Sequence, residues 1–71
     1  MKNREVAKAW RAGRAAAAGN FRTDGQNLWS YNLQIGRTES GSKVLTDYRR
    51  RVSVTTSRHC GLAAVEADRI E

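Results

Sequence analysis

From Lys2 to Ala18 the apolar positions recur at helical spacing. On a wheel of about 100° per residue, Val6, Ala9, Trp10, Gly13, Ala16 and Ala17 fall in one arc, and Arg4, Lys8, Arg11 and Arg14 in the opposite one. The alanine run favours a helix, and Gly19-Asn20 supplies its stop, so a helix is expected over residues 2–18 with Trp10 as its one large anchor. From Phe21 the period falls to two. In "LWSYNLQIG", Trp29, Tyr31, Leu33 and Ile35 point one way and Ser30, Asn32 and Gln34 the other, which puts the aromatic rings on the core face of a strand. Asp24-Gly25 is expected to form a two-residue hairpin turn that pairs a short strand around Phe21 with the region of Leu28. A second turn centred on Ser40-Gly41 sets Ile35 opposite Thr46 and Leu33 opposite Tyr48, with Val44, Thr46 and Tyr48 on the aromatic face. Strands are thus expected at about 20–23, 27–37 and 43–54. Thr55, Thr56 and Ser57 offer hydroxyl caps to a final helix over 57–70, whose apolar stripe, Leu62, Ala64 and Val65, is weak. The expected fold is α+β in a single domain over residues 1–71: an N-terminal helix, a three-stranded antiparallel sheet and a C-terminal helix, with both helices on one face of the sheet.

Length and charge narrow the functions that such a fold can serve. A chain of 71 residues buries only about 60% of the surface its unfolded form exposes, so a deep catalytic cleft is not expected. Apolar residues make up 39% of the chain, enough for a folded module rather than a disordered one. Thirteen Lys and Arg against seven Asp and Glu leave a net charge of +6, which favours nucleic acid, anionic membrane or an acidic protein face as partner. The single cysteine cannot form an internal disulfide, and no zinc-ligand spacing accompanies it, so neither metal nor cofactor is expected and a reducing cytosol fits best. The basic N-terminus starts like a signal peptide, but Lys8, Arg11 and Arg14 interrupt every apolar run; no signal and no membrane span is expected.

Candidate chemistry lies in the basic residues. His59 and Cys60 are helix neighbours whose side chains diverge by about 100°, which rules against a nucleophile-and-base dyad. The carboxylates are scattered, no phosphate-cradling glycine loop occurs, and no catalytic residue is assigned. Arg4, Lys8, Arg11 and Arg14 form one basic cluster; Arg49, Arg50, Arg51 and Arg58 form a second near the start of the last helix. There Thr56, Ser57 and Arg58 would offer hydroxyls, free amides and a guanidinium to an anion, completing a candidate nucleic-acid or anion-binding set. Hydroxyl caps and solvated charge stripes are also ordinary structural features, and this plain reading carries equal weight. Helix, three strands, helix is the order of the double-stranded-RNA-binding domain too, but that domain's loop histidine and lysine-rich helix start have no counterpart here, so its RNA contacts are not carried over.

"TDGQNLWSY" (Thr23 to Tyr31), Ile35 and "TTSRHCGLA" (Thr55 to Ala63) together resemble a family of short proteins encoded by tailed bacteriophages, a domain of unknown function. The resemblance spans nearly the whole chain and implies a phage accessory protein at work in the host cytoplasm, without implying a reaction. The leading expectation is a small non-enzymatic protein, such as an anti-defence inhibitor of the anti-CRISPR kind, that binds and occludes a host protein or nucleoprotein complex. The alternatives are a largely sequence-independent nucleic-acid-binding protein that grips phosphates, and a structural or virion component.

Overall fold

The structure is a computed structural model that describes residues 1–46 and 54–71. The protein is α+β with a helix near either end of the chain, but its sheet has six strands rather than the expected three. In chain order the elements are α1 (Asn3–Ala12), β1 (Ala15–Ala18), β2 (Phe21–Asp24), β3 (Leu28–Ser30), β4 (Leu33–Glu39), β5 (Ser42–Leu45), α2 (Val54–Glu66) and β6 (Arg69–Ile70). Five strands run as an antiparallel meander, and β6 returns through α2 to lie parallel to β5. A helix-bearing crossover is what a parallel pair needs.

The first correction lies in the alanine run. Gly13 takes the left-handed conformation at φ 78°; its N–H bonds to Trp10 O, and Arg14 N–H bonds to Ala9 O at 2.8 Å. This paired C-terminal cap ends α1 six residues earlier than expected. Ala15–Ala18 then pairs with β2, Ala18 opposite Phe21, through a turn that begins at Gly19 with φ 59°. Sheet pairing overrides the helix propensity of alanine because Ala16 and Ala18 can lie against the core from the strand. The end of α1 also sits on the β2–β3 turn: a Cβ on Gly25 would come within 2.6 Å of the Gly13 carbonyl oxygen, so glycine alone permits this approach.

The second correction divides the expected strand 27–37. Tyr31, at φ 57°, turns the chain, so Ser30 faces Leu33 across a hairpin between β3 and β4. Leu28 and Ser30 point inward while Trp29 is half-buried on the outer face and Tyr31 is exposed, the reverse of the expected alternation. A bulge at Ile35 lets two successive residues, Ile35 and Gly36, both be buried. The first turn also shifts by one residue, to Gly25-Gln26: Asp24 N–H bonds to Asn27 O, and the Asp24 carboxylate accepts the Gln26 and Asn27 amides, which holds its pKa below the usual value. The β4–β5 hairpin turns on Ser40-Gly41 with Glu39 opposite Ser42, and Thr46 N–H donates to Ile35 O. The expected placement of Tyr48, and the expected strand beyond Thr46 as far as Ser53, lie outside the described residues.

One core joins the layers: Val6, Ala7 and Trp10 of α1, Phe21, Leu28, Ile35 and Leu45 of the sheet, and Cys60 and Ala63 of α2. Trp10 is its centre. The indole N–H donates to Gln26 O at 3.0 Å, and the ring lies so close to Gly36 that a Cβ there would sit 2.8 Å from it.

Candidate binding surface on the two helices

α2 begins at Val54, earlier than expected, so Thr55, Thr56 and Ser57 lie within its first turn instead of capping it. Its buried residues are Thr56, His59, Cys60 and Ala63, at the spacing of one helix face. The inward face of this helix is therefore partly polar. Ser30 Oγ lies 2.6 Å from His59 Nδ1 and 3.0 Å from Thr56 Oγ1, and the His59 ring stacks on Phe21 at 4.4 Å. Ser30 is 0% and His59 2% exposed, and burial pushes the imidazole pKa down, so the ring is held neutral. The serine–histidine contact is shut within the core and fastens α2 to β3. It also removes Thr56 from the expected anion grip.

A second buried polar group ties the sheet to the first turn. The Lys43 ammonium donates to Gly25 O and to Thr38 Oγ1, both at 2.8 Å, with the Trp10 ring 5.9 Å away. Burial pushes its pKa down, and the nearby Arg11 guanidinium adds to the effect.

The remaining charges are sorted by region. Spanning β5, from β4 to the end of β6, Arg37 and Arg69 alternate with Glu39 and Glu71 in a ring of ion pairs of 2.5 to 3.0 Å. The hydrogen bond from Arg37 is the main reason that both carboxyls titrate below their usual range. Arg11, placed in the candidate set, is likewise engaged: it bonds Asp68 Oδ1 at 2.5 Å and Glu66 O at 3.1 Å. Asp68 also accepts Lys43 N–H at 2.8 Å, the first cause of its lowered pKa.

Arg4, Lys8, Arg14 and Arg58 are exposed and make no ion pair among the described residues. Lys8 borders two hollows. One, beside β1, is also lined by Glu5 and Arg14; the other lies between α1 and α2 and is lined by Arg4, Ala7, Leu62, Val65 and Glu66. Ser57 is half-buried on α2 next to Arg58. Arg49, Arg50 and Arg51 lie outside the described residues. The structure thus brings Arg4, Lys8 and Arg14 onto one surface around α1, although Arg14 stands beyond the helix end.

Two features of the surface were missed by the sequence reading. On the outer sheet face the Arg22 guanidinium lies 4.9 Å over the Trp29 ring and donates to Tyr31 O at 2.7 Å. On α2, Val54 and Val65 are 71% and 81% exposed. The spacing of Thr56, His59, Cys60 and Ala63 was the available signal for this reversed helix. Among the described residues no group of three or more His, Cys, Asp or Glu could hold a metal, and no helix is long and apolar enough to cross a membrane. Compared with known protein families, with curated proteins and with solved structures, the chain matches none.

Proposed function

We propose that this is a small non-enzymatic phage accessory protein, acting in the host cytoplasm, that binds and occludes a host macromolecule, in the manner of an anti-defence inhibitor. The observation that carries the reading is the separation of charge. Most of the described acidic side chains are engaged in turns and ion pairs, whereas Arg4, Lys8, Arg14 and Arg58 stand exposed on and beside the two helices. A predominantly basic surface, in which Glu5 and Glu66 are outnumbered, steers an acidic partner and penalises basic ones. Occlusion needs surface alone: about 800 Å² per partner makes a standard interface, and the whole domain exposes 4314 Å².

The test is a pull-down from a nuclease-treated lysate of the host bacterium with the wild type and an Arg4→Glu/Lys8→Glu/Arg58→Glu variant. One stoichiometric partner, lost in the variant, is expected. Recovery of no stoichiometric partner would overturn the reading.

A second reading, direct nucleic-acid binding, is favoured by one observation: Trp29 and Arg22 lie on the outer sheet face, next to the exposed Tyr31 of the β3–β4 turn, and rings and a guanidinium can stack on bases. If six phosphates of duplex DNA are also neutralised, log affinity should fall against log salt with a slope of about −5. A slope near zero counts against this reading.

A further inference from the structure

The outward side of α2 is more aliphatic than its inward side. Val54, Arg58, Leu62 and Val65 follow one another at four-, four- and three-residue steps, which places them along one stripe of the helix, while a threonine and a histidine are buried on the opposite side. An isolated exposed valine needs no explanation. Here the exposed Val65 and the half-buried Leu62 meet Ala7 of α1 and form the floor of a hollow of about 140 Å³, room for a single apolar side chain.

The rim of this hollow is basic. Arg4 and Lys8, one turn apart on α1, line one side; Arg58 does not line the hollow but is exposed one turn before Leu62 on the same stripe of α2. Glu66 is the one acidic residue at the rim; its carbonyl is held by Arg11. An apolar floor within a cationic rim has as its complement an apolar side chain within acidic surroundings. A cleft between two packed helices seats a third helix by the same ridge-and-groove packing that joined the first two. A second copy of this chain would bring the same cations face to face, so like charge opposes it.

We infer that the α1–α2 groove is the docking site for an acidic amphipathic helix of a partner protein, which anchors one large apolar side chain between Ala7, Leu62 and Val65 and sets its carboxylates against Arg4, Lys8 and Arg58. This rests on the occlusion reading and gives it a partner class and a location. Phosphate contacts alone would leave the apolar floor unused.

The probe is a designed helical peptide with leucines on one face and glutamates elsewhere, titrated by calorimetry and followed by methyl NMR of the full chain. Its controls are a scrambled peptide of equal composition and a version with lysine for glutamate. Binding is expected for the acidic amphipathic peptide alone, with methyl shifts at Ala7, Leu62 and Val65. It should weaken about tenfold or more in Val65→Asp and in Lys8→Glu, whose side chains are exposed and whose replacement leaves the core untouched. Equal binding of the scrambled peptide, unchanged affinity in Val65→Asp, or binding without methyl shifts at Ala7, Leu62 and Val65 would overturn the proposal. So would concentration-dependent dimerisation, or capture by anionic phosphatidylserine vesicles, if Val65→Asp abolishes either while peptide binding is absent. A host partner retained equally by Val65→Asp and the wild type would overturn the groove yet leave occlusion standing; retention by neither would remove both.

Discussion

His59 shows how a residue that looks chemical in the sequence becomes a fastener in the fold. Its imidazole is neutral because it is buried, with Ser30 as its hydrogen-bond partner and Phe21 against its face. The unfolded chain takes up a proton near pH 6.5, whereas the folded chain does so only at lower pH. Between those two values the unfolded state binds more protons, so stability should fall as pH drops below about 6.5, by at most about 1.4 kcal/mol per pH unit, and level off below the folded pKa. Urea midpoints from pH 7.5 to 5 would check this; a flat profile in that window would contradict a buried neutral ring. Ser30→Ala leaves the buried imidazole nitrogen short of a partner and should cost about 1–3 kcal/mol. At Gly36 a methyl group would press on both Trp10 and Leu28, and Gly36→Ala should cost about 1–3 kcal/mol by overpacking. The sequence showed that His59 and Cys60 cannot act on each other, but it could not show Ser30 as the partner, because strand alternation placed that serine outside.

Among the elements, the alanines show where local pattern misleads. Residues 15–18 continue the helix wheel, and Gly13 falls within its apolar arc. Two glycines at positive φ, Gly13 and Gly19, bracket a strand instead. Gly13→Ala forces a Cβ into left-handed space and should destabilise by about 1–2 kcal/mol. Hydrogen exchange should then show loss of amide protection in Ala15–Ala18, while circular dichroism shows no loss of helix. The β4–β5 turn was legible because Ser40-Gly41 fixes both the reversal and the register. The return of β6 was not, because "DRIE" carries no strand pattern, and what holds it is backbone bonding to Lys43 and Leu45 together with the distant partners of its charged side chains. Acid should loosen this edge. The carboxyls of Glu39, Glu71 and Asp68 titrate below their usual range, so the stability they give is present above pH 4.5 and is lost as pH falls through their lower folded values. The β6 amides should therefore lose protection first in an acid titration.

For the whole molecule, net charge was readable from composition, but its distribution was not. Seven acidic residues scattered along the chain gave no hint that Glu39, Asp68 and Glu71 would engage Arg37, Arg69 and Arg11, leaving Arg4, Lys8, Arg14 and Arg58 to define the basic surface. On the last helix the wheel offers two faces, and nothing in it decides that Thr56 and His59 are taken inside and Val65 left out. Both follow from tertiary pairing. The most direct measurement is hydrogen exchange of the protein alone and in complex with the partner it retains after nuclease treatment. New protection confined to α1 and to the outer stripe of α2, absent in Val65→Asp, is the expected result. Protection centred on the hairpin of Arg22, Trp29 and Tyr31, with both helices unchanged, would contradict the account.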